Sequence, residues 1–325
     1  MDKSVLDYLK NPNVMEDLAK FGFTTRVLDI SEISSTLYND KGRLFFITLP
    51  ESKIVLKKQK NSIIEASNLQ RKKNHFQKNY PQVYSYNDSS LLLEFIDETN
   101  AWDKVISGDP IPLELMVTHL AEVHNISITQ LKNGEIDFRP KVYADYCKSK
   151  FDRHLGGILE LNFEQAYRDL RDKVEDRLKK YPPVEHIDAN LHNWFGLIKI
   201  DETNNTLSVP HLTLKSMLQY GPLDLNDDQV EKLYQKYCDI RELDIDEFMA
   251  YDSYADLIFN LNKLFRIIRK VKLFGLDNIS SKGLRRHSKI FSKSLYKLSK
   301  PKLSGLSDLN NQISMYLDKI GVEDD

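Results

Sequence analysis

The stretch that decides the fold is His186-Ile187-Asp188-Ala189-Asn190-Leu191-His192-Asn193. It places a carboxylate and a carboxamide five positions apart, in the pattern H-x-D-x-x-x-x-N. Two such groups on one tight loop can act together, because a carboxylate can accept a proton and an amide oxygen can face a metal ion. The pattern is a moderate signal on its own, so its interpretation depends on the flanking chain.

The composition is that of a globular protein without a membrane span. The chain has 325 residues, enough for one large or two ordinary domains, and its formal net charge is -2. No apolar run approaches the length needed to cross a bilayer, and the first residues lack a signal-peptide core. Cys147 and Cys238 have neither metal-ligand spacing nor a disulfide framework, which predicts reduced thiols in a cytoplasmic protein.

The N-terminal part of the chain predicts a small sheet preceded by helices. Apolar residues at helical spacing run from Ser4 to Phe21, and Asn11-Pro12-Asn13 divides them into two short helices. Runs of strand-forming residues bounded by turn signals follow, interrupted by one helical segment. The predicted strands are 26–30, 43–48, 53–57, 82–86 and 91–95, and the predicted helix is 62–78.

From about Ala101 onward the apolar residues repeat at helical spacing. The predicted helices are 113–124, 141–153 and 163–180, and the chain is helical again from Asp227. Between these helices, residues 195–200 and 207–209 predict a short hairpin around the turn 201–205.

The sequence therefore predicts an α+β protein with two parts. The first is an N-terminal lobe, 1–97, with a helical extension at 1–22. The second is a helical C-terminal lobe, 98–325, with a catalytic hairpin at 184–216 and a basic helical tail at 266–302. A cleft between two such lobes is a natural ligand site.

Several motifs in this order resemble the aminoglycoside phosphotransferase and choline kinase group of small-molecule kinases. The stretch 186–193 resembles that family's HGDLHPGN loop. Val55-Leu56-Lys57 resembles the strand with the ATP-binding lysine, and Glu65 resembles the helical glutamate that pairs with it. Because side chains alternate along a strand, only one of Lys57 and Lys58 can face a cleft, and the glutamate partner favours Lys57.

Weaker matches extend the resemblance over roughly residues 25–265. They are Leu91–Ile96 for the strand-to-hinge segment, Leu120–His124 for the LA-x-LH helix end, and Tyr220-Gly221-Pro222 with Asp224-Leu225 for the segment after the metal-binding strand. Protein kinases are a poorer match, since neither D-F-G nor A-P-E follows the loop. The resemblance implies a two-lobed protein-kinase-like fold, with an N-terminal antiparallel sheet lobe, one crossing helix and a larger helical lobe.

The resemblance also implies an activity and two cofactors, ATP and Mg²⁺. The activity is ATP-dependent phosphorylation of a hydroxyl on a small molecule such as an amino sugar or amino alcohol. Lys57, oriented by Glu65, would hold the α- and β-phosphates. Asn193 would bind Mg²⁺, and Asp188 would accept the hydroxyl proton.

The remaining ligand contacts are implied in the same way. Adenine would lie against residues 93–97, where Glu94 and Ile96 belong to the hinge. In this family acidic residues of the helical lobe select amines, and the candidates are Asp224, Asp227, Asp228 and Glu231.

Two departures from the family pattern favour an alternative function. The family places a metal-binding aspartate after the second hairpin strand, typically as I-D-W/F-E, where this chain has Thr213, or His211 if the register slips. Neither is a good magnesium ligand, and Lys215 adds a positive charge nearby. The loop 31–36 contains Glu32 and no glycine, although backbone amides approach phosphates best without side chains. The alternative is a catalytically impaired pseudokinase that binds a nucleotide or a partner.

A further group of basic residues lies at 266–302, where Asp277 is the only acidic residue. This segment predicts either solvated helix faces or a surface for a polyanion. The polyanion could be a phosphorylated substrate, a membrane surface or a nucleic acid, and the last would make this a nucleic-acid-binding protein.

Overall fold

The computed structural model describes residues 2–24, 26–33, 43–140, 174–203, 206–219 and 222–274, with single positions at 289, 293, 311 and 315. The chain forms two compact units. The first unit contains Met1–Val123, Ile187–Asn205 and Ser216–Leu225, and the second contains His124–His186, Thr206–Lys215 and Asn226–Asp325. The predicted helix 141–153, residues 163–173 of the predicted helix 163–180, the loop residues 34–36 and the part of the basic tail beyond residue 274, except 289 and 293, lie outside the described residues. Residues 174–178 are helical, as predicted.

The first unit is built on an antiparallel sheet in the order β1-β2-β3-β5-β4. Its strands are β1 Asp29–Ile33, β2 Arg43–Thr48, β3 Lys53–Lys58, β4 Val83–Asn87 and β5 Ser90–Glu94. The predicted strands agree closely with these bounds, except that β1 begins three residues later than expected. Its helices are α1 Lys3–Leu9, α2 Pro12–Lys20, α3 Ser62–His75 and α4 Ala101–Ile106.

Helices α1 and α2 cover one face of this sheet. Asn11 caps α2 by accepting from the amide of Asn13, and Pro12 occupies a first-turn position that needs no donor. The apolar faces of both helices join alternate residues of the strands in one core. Its fully or nearly fully buried members are Val5, Leu9, Val14, Leu18, Phe45, Ile47, Leu49, Ile54, Leu56 and Leu92.

Strand alternation on β3 separates its two lysines. Ile54 and Leu56 point into the core beneath α1 and α2, and Lys58 points the same way, with its ammonium 2.7 Å from the hydroxyl of Ser4. Lys57 therefore points to the opposite face, where α3 begins. The sequence prediction that Lys57 is the lysine that meets Glu65 agrees with this arrangement.

A second, two-stranded sheet carries the residues that follow the predicted catalytic loop, 186–193. Strands β8 Trp194–Phe195 and β9 Ile198–Lys199 pair across Gly196-Leu197. Gly196 has φ +58°, as the first position of a two-residue hairpin turn requires. The predicted hairpin between 195–200 and 207–209 is therefore wrong.

The second unit is mostly helical. A small sheet forms from β6 Arg139–Pro140, β7 Val184–Glu185 and β10 Thr206–Ser208, with β10 between the other two. Its helices are the end of α5 Leu113–Lys132, most of α6 Pro210–Leu218, α7 Asp227–Arg241 and α8 Ile245–Phe274. Buried aromatic residues, including Tyr234, Tyr237 and Phe248, form its core. In the described part of the chain, no helix combines the length and the apolarity that a membrane crossing requires.

Candidate active site

Lys57 lies at the centre of the candidate site, and two carboxylates bind its ammonium group. The Nζ atom is 2.8 Å and 3.0 Å from the two oxygens of Glu65 and 2.9 Å from Oδ1 of Asp201. Glu65 comes from the first turn of α3, where a negative charge also interacts favourably with the helix dipole. The site therefore joins a strand lysine, a helix glutamate and an aspartate that is distant in sequence.

Asp201 was not among the residues predicted for the site. It lies two residues after the end of β9, and its backbone has φ +63°, a left-handed conformation that is uncommon outside glycine. The amide of Ile200 donates to the carbonyl of Asn193 at 2.9 Å, which brings this segment beside the end of the catalytic loop. Sequence analysis assigned Asp201 to a turn, although Ile200-Asp201 matches the start of the family's I-D-W/F-E pattern.

Thr213 and His211, the residues predicted for the metal position, lie in helix α6 of the second unit. Both are fully buried, and Nε2 of His211 donates to the carbonyl of Phe248 at 2.9 Å. Lys215 is buried with them, 2.6 Å from Asp252. The assignment of Thr213 rested on the hairpin that the structure does not contain, and Pro210 instead starts a helix there. Besides Glu65, the carboxylate that reaches Lys57 is that of Asp201.

The predicted catalytic loop, 186–193, is held by hydrogen bonds within itself. Residues Leu191–Asn193 form a turn of 3₁₀ helix, which Asn190 caps by accepting from the amide of His192 at 3.1 Å. Nδ2 of Asn193 donates to the carbonyl of Asp188 at 3.1 Å. That bond uses the amide nitrogen, which leaves the amide oxygen of Asn193 as a group that could act as a ligand.

Asp188 is half-buried, and its carboxylate is oriented from two sides. Oδ1 accepts from the hydroxyl of Ser216 at 3.1 Å and from the amide of Asn190 at 3.4 Å. Ser216 lies in the last turns of α6, within the first unit. Sequence analysis missed this contact, because a serine in an apolar helical run carries no local signal of function.

The charges of the site raise the pKa of Lys57. Burial alone would lower the pKa of this ammonium, but the Glu65 and Asp201 carboxylates raise it above its usual range. Burial also raises the pKa of Glu65, and Lys57 opposes that effect. The site thus holds a charged lysine at neutral pH, as contact with phosphate groups would require.

A second buried cluster lies beside Asp201. Glu202 forms ion pairs with Lys72 of α3 and, at 3.0 Å, with Lys199 of β9. All three side chains are at most 3% exposed. Burial raises the pKa of Glu202, but Lys199 and Lys72 together lower it to about 2, so the carboxylate is charged at neutral pH.

The predicted adenine segment, 93–97, begins at the end of β5. Glu94 is the last residue of that strand, and its carboxylate accepts from the amide of Gln82 at 2.9 Å. Ile96 is half-buried in the extended residues between β5 and α4. The carboxylate of Glu94 is thus engaged within the protein, so a ligand contact by this residue would fall to its backbone groups.

His192 packs against the helix that follows this segment. Its ring stacks on Trp102 of α4, with 4.1 Å between the ring centroids and 18° between the planes. Burial lowers the pKa of His192, so the ring is neutral at neutral pH. This stack joins the 186–193 loop to helix α4.

The oxygen ligands of the site fit a magnesium ion better than a softer metal. A carboxylate from Asp201 and an amide oxygen from Asn193 are the hard donors that Mg²⁺ prefers. Within the described ranges, no group of three His, Cys, Asp or Glu side chains could hold a metal ion. A magnesium ion here would therefore depend on phosphate and water oxygens for its remaining ligands, as is usual for this ion.

Comparison with solved structures identifies the fold. Choline kinase from Cryptosporidium parvum Iowa II aligns with a TM-score of 0.55 at 14% identity, over 88% of this chain and 93% of that chain. Ethanolamine kinase from Plasmodium vivax aligns with a TM-score of 0.53 at 13% identity, over 82% and 81%. Spectinomycin phosphotransferase, in complex with ADP and spectinomycin, aligns with a TM-score of 0.54 at 14% identity, over 86% and 93%.

These likenesses confirm the α+β, protein-kinase-like fold that the sequence predicts. The fold is the one shared by aminoglycoside phosphotransferases and by choline and ethanolamine kinases. The sequence alone matches no protein-family model and no curated protein. The assignment of the fold therefore rests on the arrangement of the elements in space.

Proposed function

We propose that this protein transfers the γ-phosphoryl group of ATP to a hydroxyl group of a small molecule. The observation that carries the proposal is the contact of Lys57 with both Glu65 and Asp201, within 3.0 Å. In kinases of this general fold, a lysine–glutamate pair and a metal-binding aspartate must both be in place for phosphoryl transfer. Asp188 and Asn193 lie in the same compact unit as these three residues.

The nucleotide would be held by charge and by backbone contacts. Lys57 would contact the α- and β-phosphates, and Glu65 would keep its ammonium in place. Asp201 and Asn193 would hold Mg²⁺, whose charge neutralises the phosphate oxygens. Residues 93–97, with Glu94 and Ile96, would face adenine.

Asp188 would act on the acceptor. Its carboxylate would accept the hydroxyl proton as the acceptor oxygen forms its bond to the γ-phosphorus and the bond to the ADP oxygen breaks. The bonds from Ser216 and Asn190 fix one carboxylate oxygen, which leaves the other to face the hydroxyl. Catalysis of this type depends mostly on positioning and electrostatics.

The acceptor class is the finer part of the proposal. The aligned structures are named for choline, ethanolamine and spectinomycin phosphorylation, and we propose an acceptor that likewise combines a hydroxyl with an amine. The four acidic candidates for amine recognition are all exposed, and Asp227 lies 2.5 Å from Lys293. They are Asp224, Asp227, Asp228 and Glu231.

The alternative, a pseudokinase that only binds, loses one of its arguments. The carboxylate that seemed to be missing from the metal position has a counterpart in Asp201. Residues 31–36 still contain no glycine, but 31–33 belong to strand β1 and not to a loop, and Glu32 is paired with Arg43 at 2.6 Å. A polyanion surface at 266–302 and a cytoplasmic location both stay predictions.

Calorimetry of ATP binding, with and without magnesium, tests the nucleotide site. We expect magnesium to tighten ATP binding to the wild type, and Asp201→Asn to abolish that gain because the amide has lost the ligand charge. Asp88→Asn is the matched control, since Asp88 is an exposed residue of the β4–β5 turn in the same unit. Absence of ATP binding by the wild type would overturn the proposal in favour of the non-catalytic alternative.

Release of ADP in the presence of hydroxyl-bearing amines tests the reaction. Choline, ethanolamine and spectinomycin form the first panel, and Asp188→Asn is the negative control. Acceptor-dependent ADP release that is lost in Asp188→Asn supports the transfer. Release that persists in this variant would remove Asp188 from the role of base.

A further inference from the structure

Glu202 occupies the position directly after the proposed metal ligand Asp201, and it is 3% exposed. Its carboxylate binds the ammonium groups of Lys72 and Lys199. Lys72 is 1% exposed and Lys199 is fully buried. Two buried lysines that converge on one buried glutamate are unusual, because removing three charges from water costs several kcal/mol for each ion.

Helix α3 reaches this cluster with one face. Glu65, Asn68 and Lys72 follow one another at spacings of three and four residues, so they lie along one side of the helix. Glu65 binds Lys57, and Nδ2 of Asn68 donates to the backbone carbonyl of Glu202 at 2.9 Å. Lys72 completes the row by pairing with the Glu202 carboxylate. One face of α3 thus contacts both Lys57 and the segment 201–202.

The other side of this segment is also fixed. The amide of Lys199 donates to the carbonyl of Asn79 at 2.8 Å, and Nδ2 of Asn79 donates to the carbonyl of Leu197 at 3.1 Å. The amide of Ile200 donates to Asn193 at 2.9 Å. Asp201, in its left-handed conformation, lies between residues that are held on both sides. Such a strained residue persists only where its surroundings over-determine it.

Stability does not account for the ion pairs. A buried ion pair is often no more stabilising than apolar residues of similar volume, so its charges need another physical reason. Conformational specificity is one such reason, because an ion pair with hydrogen bonds accepts far fewer geometries than an apolar contact. Here the ion pairs fix the position of Glu202, the residue next to the proposed metal ligand Asp201.

We propose that Glu202 is a positioning residue that, through Lys72 and Lys199, holds Asp201 in the orientation that binds magnesium on the nucleotide. The inference rests on the proposed function and deepens it. Its basis is the row of α3 residues from Glu65 to Lys72. This row contacts both Lys57 and Glu202, so one helix positions the lysine and the residue next to Asp201. Partners behind a metal ligand typically affect metal affinity by about 10-fold to 100-fold.

The test is a magnesium titration of ATP binding by calorimetry on the full chain, with binding of metal-free ATP as a baseline. We expect Glu202→Gln to weaken the apparent magnesium affinity by about 10-fold to 100-fold and to change metal-free ATP binding much less. Asp256→Asn is the matched control, because Asp256 is also a buried carboxylate paired with a buried lysine, Lys215, in the second unit. It should leave the magnesium affinity unchanged.

Asn68→Ala tests the same idea without altering a buried charge, should Glu202→Gln fail to fold. It removes the hydrogen bond to the Glu202 carbonyl, and we expect magnesium affinity to fall by about 3-fold. If Glu202→Gln folds and keeps the wild-type magnesium affinity, the positioning role is overturned and the proposed function stays intact. If only Asn68→Ala folds, wild-type magnesium affinity in that variant has the same meaning. A wild type without magnesium-dependent ATP binding overturns both.

Discussion

Replacement of Lys57 by methionine should destabilise the first unit, because it leaves the Glu65 carboxylate buried without its ammonium partner. The two charges are 2.8 Å apart, which corresponds to about 6 kcal/mol of attraction at an effective dielectric constant of about 20. Desolvation cancels part of this attraction, and removal of one partner of a buried pair typically costs about 3–5 kcal/mol. Lys57 is 23% exposed and Gln59 still donates to Glu65, so we expect about 3 kcal/mol.

The assay is urea unfolding followed by tryptophan fluorescence. The chain has two tryptophans, Trp102 and Trp194, and both belong to the first unit, so the signal reports on that unit. The double variant Lys57→Met/Glu65→Gln should recover about 2 kcal/mol relative to Lys57→Met, because glutamine carries no charge to bury. A loss below about 1 kcal/mol in the single variant, or no recovery in the double variant, would refute this reasoning.

The pH dependence provides a second check on the same variant. Burial raises the pKa of Glu65 in the folded protein, and Lys57→Met removes the charge that opposes this rise. The folded state then binds the Glu65 proton more tightly than the unfolded state. The contribution of Glu65 to stability is therefore fully present below its unfolded pKa and is lost as pH rises through its folded pKa. The destabilisation of Lys57→Met should therefore be smaller at pH values near 5 than near 8. Equal destabilisation at both would contradict an unpaired, buried carboxylate as its cause.

Three further variants test other parts of the first unit. Asp188→Asn should reduce turnover by about 100-fold to 10,000-fold in the ADP-release assay, while urea unfolding shifts by less than about 1 kcal/mol, because Asp188 is only half-buried. Burial lowers the pKa of His119 to about 4 in the folded protein, whereas the unfolded chain keeps a pKa of about 6.5. The unfolded chain therefore binds more protons, and the free energy of unfolding falls as pH drops below about 6.5, by about 1.4 kcal/mol near pH 5.5. His119→Gln should reduce that loss, and an unchanged acid dependence would assign it to other groups. Gly196→Ala should cost about 1 kcal/mol in urea unfolding, because alanine is strained at φ +58° and its Cβ would lie 2.6 Å from the carboxylate end of the Glu98 side chain. No measurable loss would mean that the β8–β9 turn relaxes.

The sequence predicted the parts of the fold that depend on local patterns. Alternation along β3 and the position of Glu65 one turn into α3 selected Lys57 over Lys58, and the structure places both lysines accordingly. The break at Pro12 and the long apolar repeats of the later helices are equally local. The predicted catalytic loop, 186–193, could be proposed from the sequence because its residues lie within a few positions of one another.

The sequence did not predict contacts that join distant segments. Lys57 and Asp201 are 144 residues apart, and only the turn at Gly196 brings Asp201 to the loop. Strands of two or three residues, such as β8 and β10, are too short to show a period of two, so their partners could not be assigned from the pattern. The error placed Thr213 at the metal position, although Pro210 is a recognised start signal for a helix.

The composition of the first unit also bears on when it can form during synthesis. Its three segments end at Val123, Asn205 and Leu225, and the unit boundaries at residues 123 and 215 fall inside helices α5 and α6. A ribosome must therefore deliver about two thirds of the chain before Asp188, Asp201 and Ser216 can all join the sheet that carries Lys57. Until then, only α1 and α2 would be available to bury the apolar face of the nascent N-terminal sheet. Because these two helices are synthesised first, they would reduce the hydrophobic strand surface that is open to aggregation.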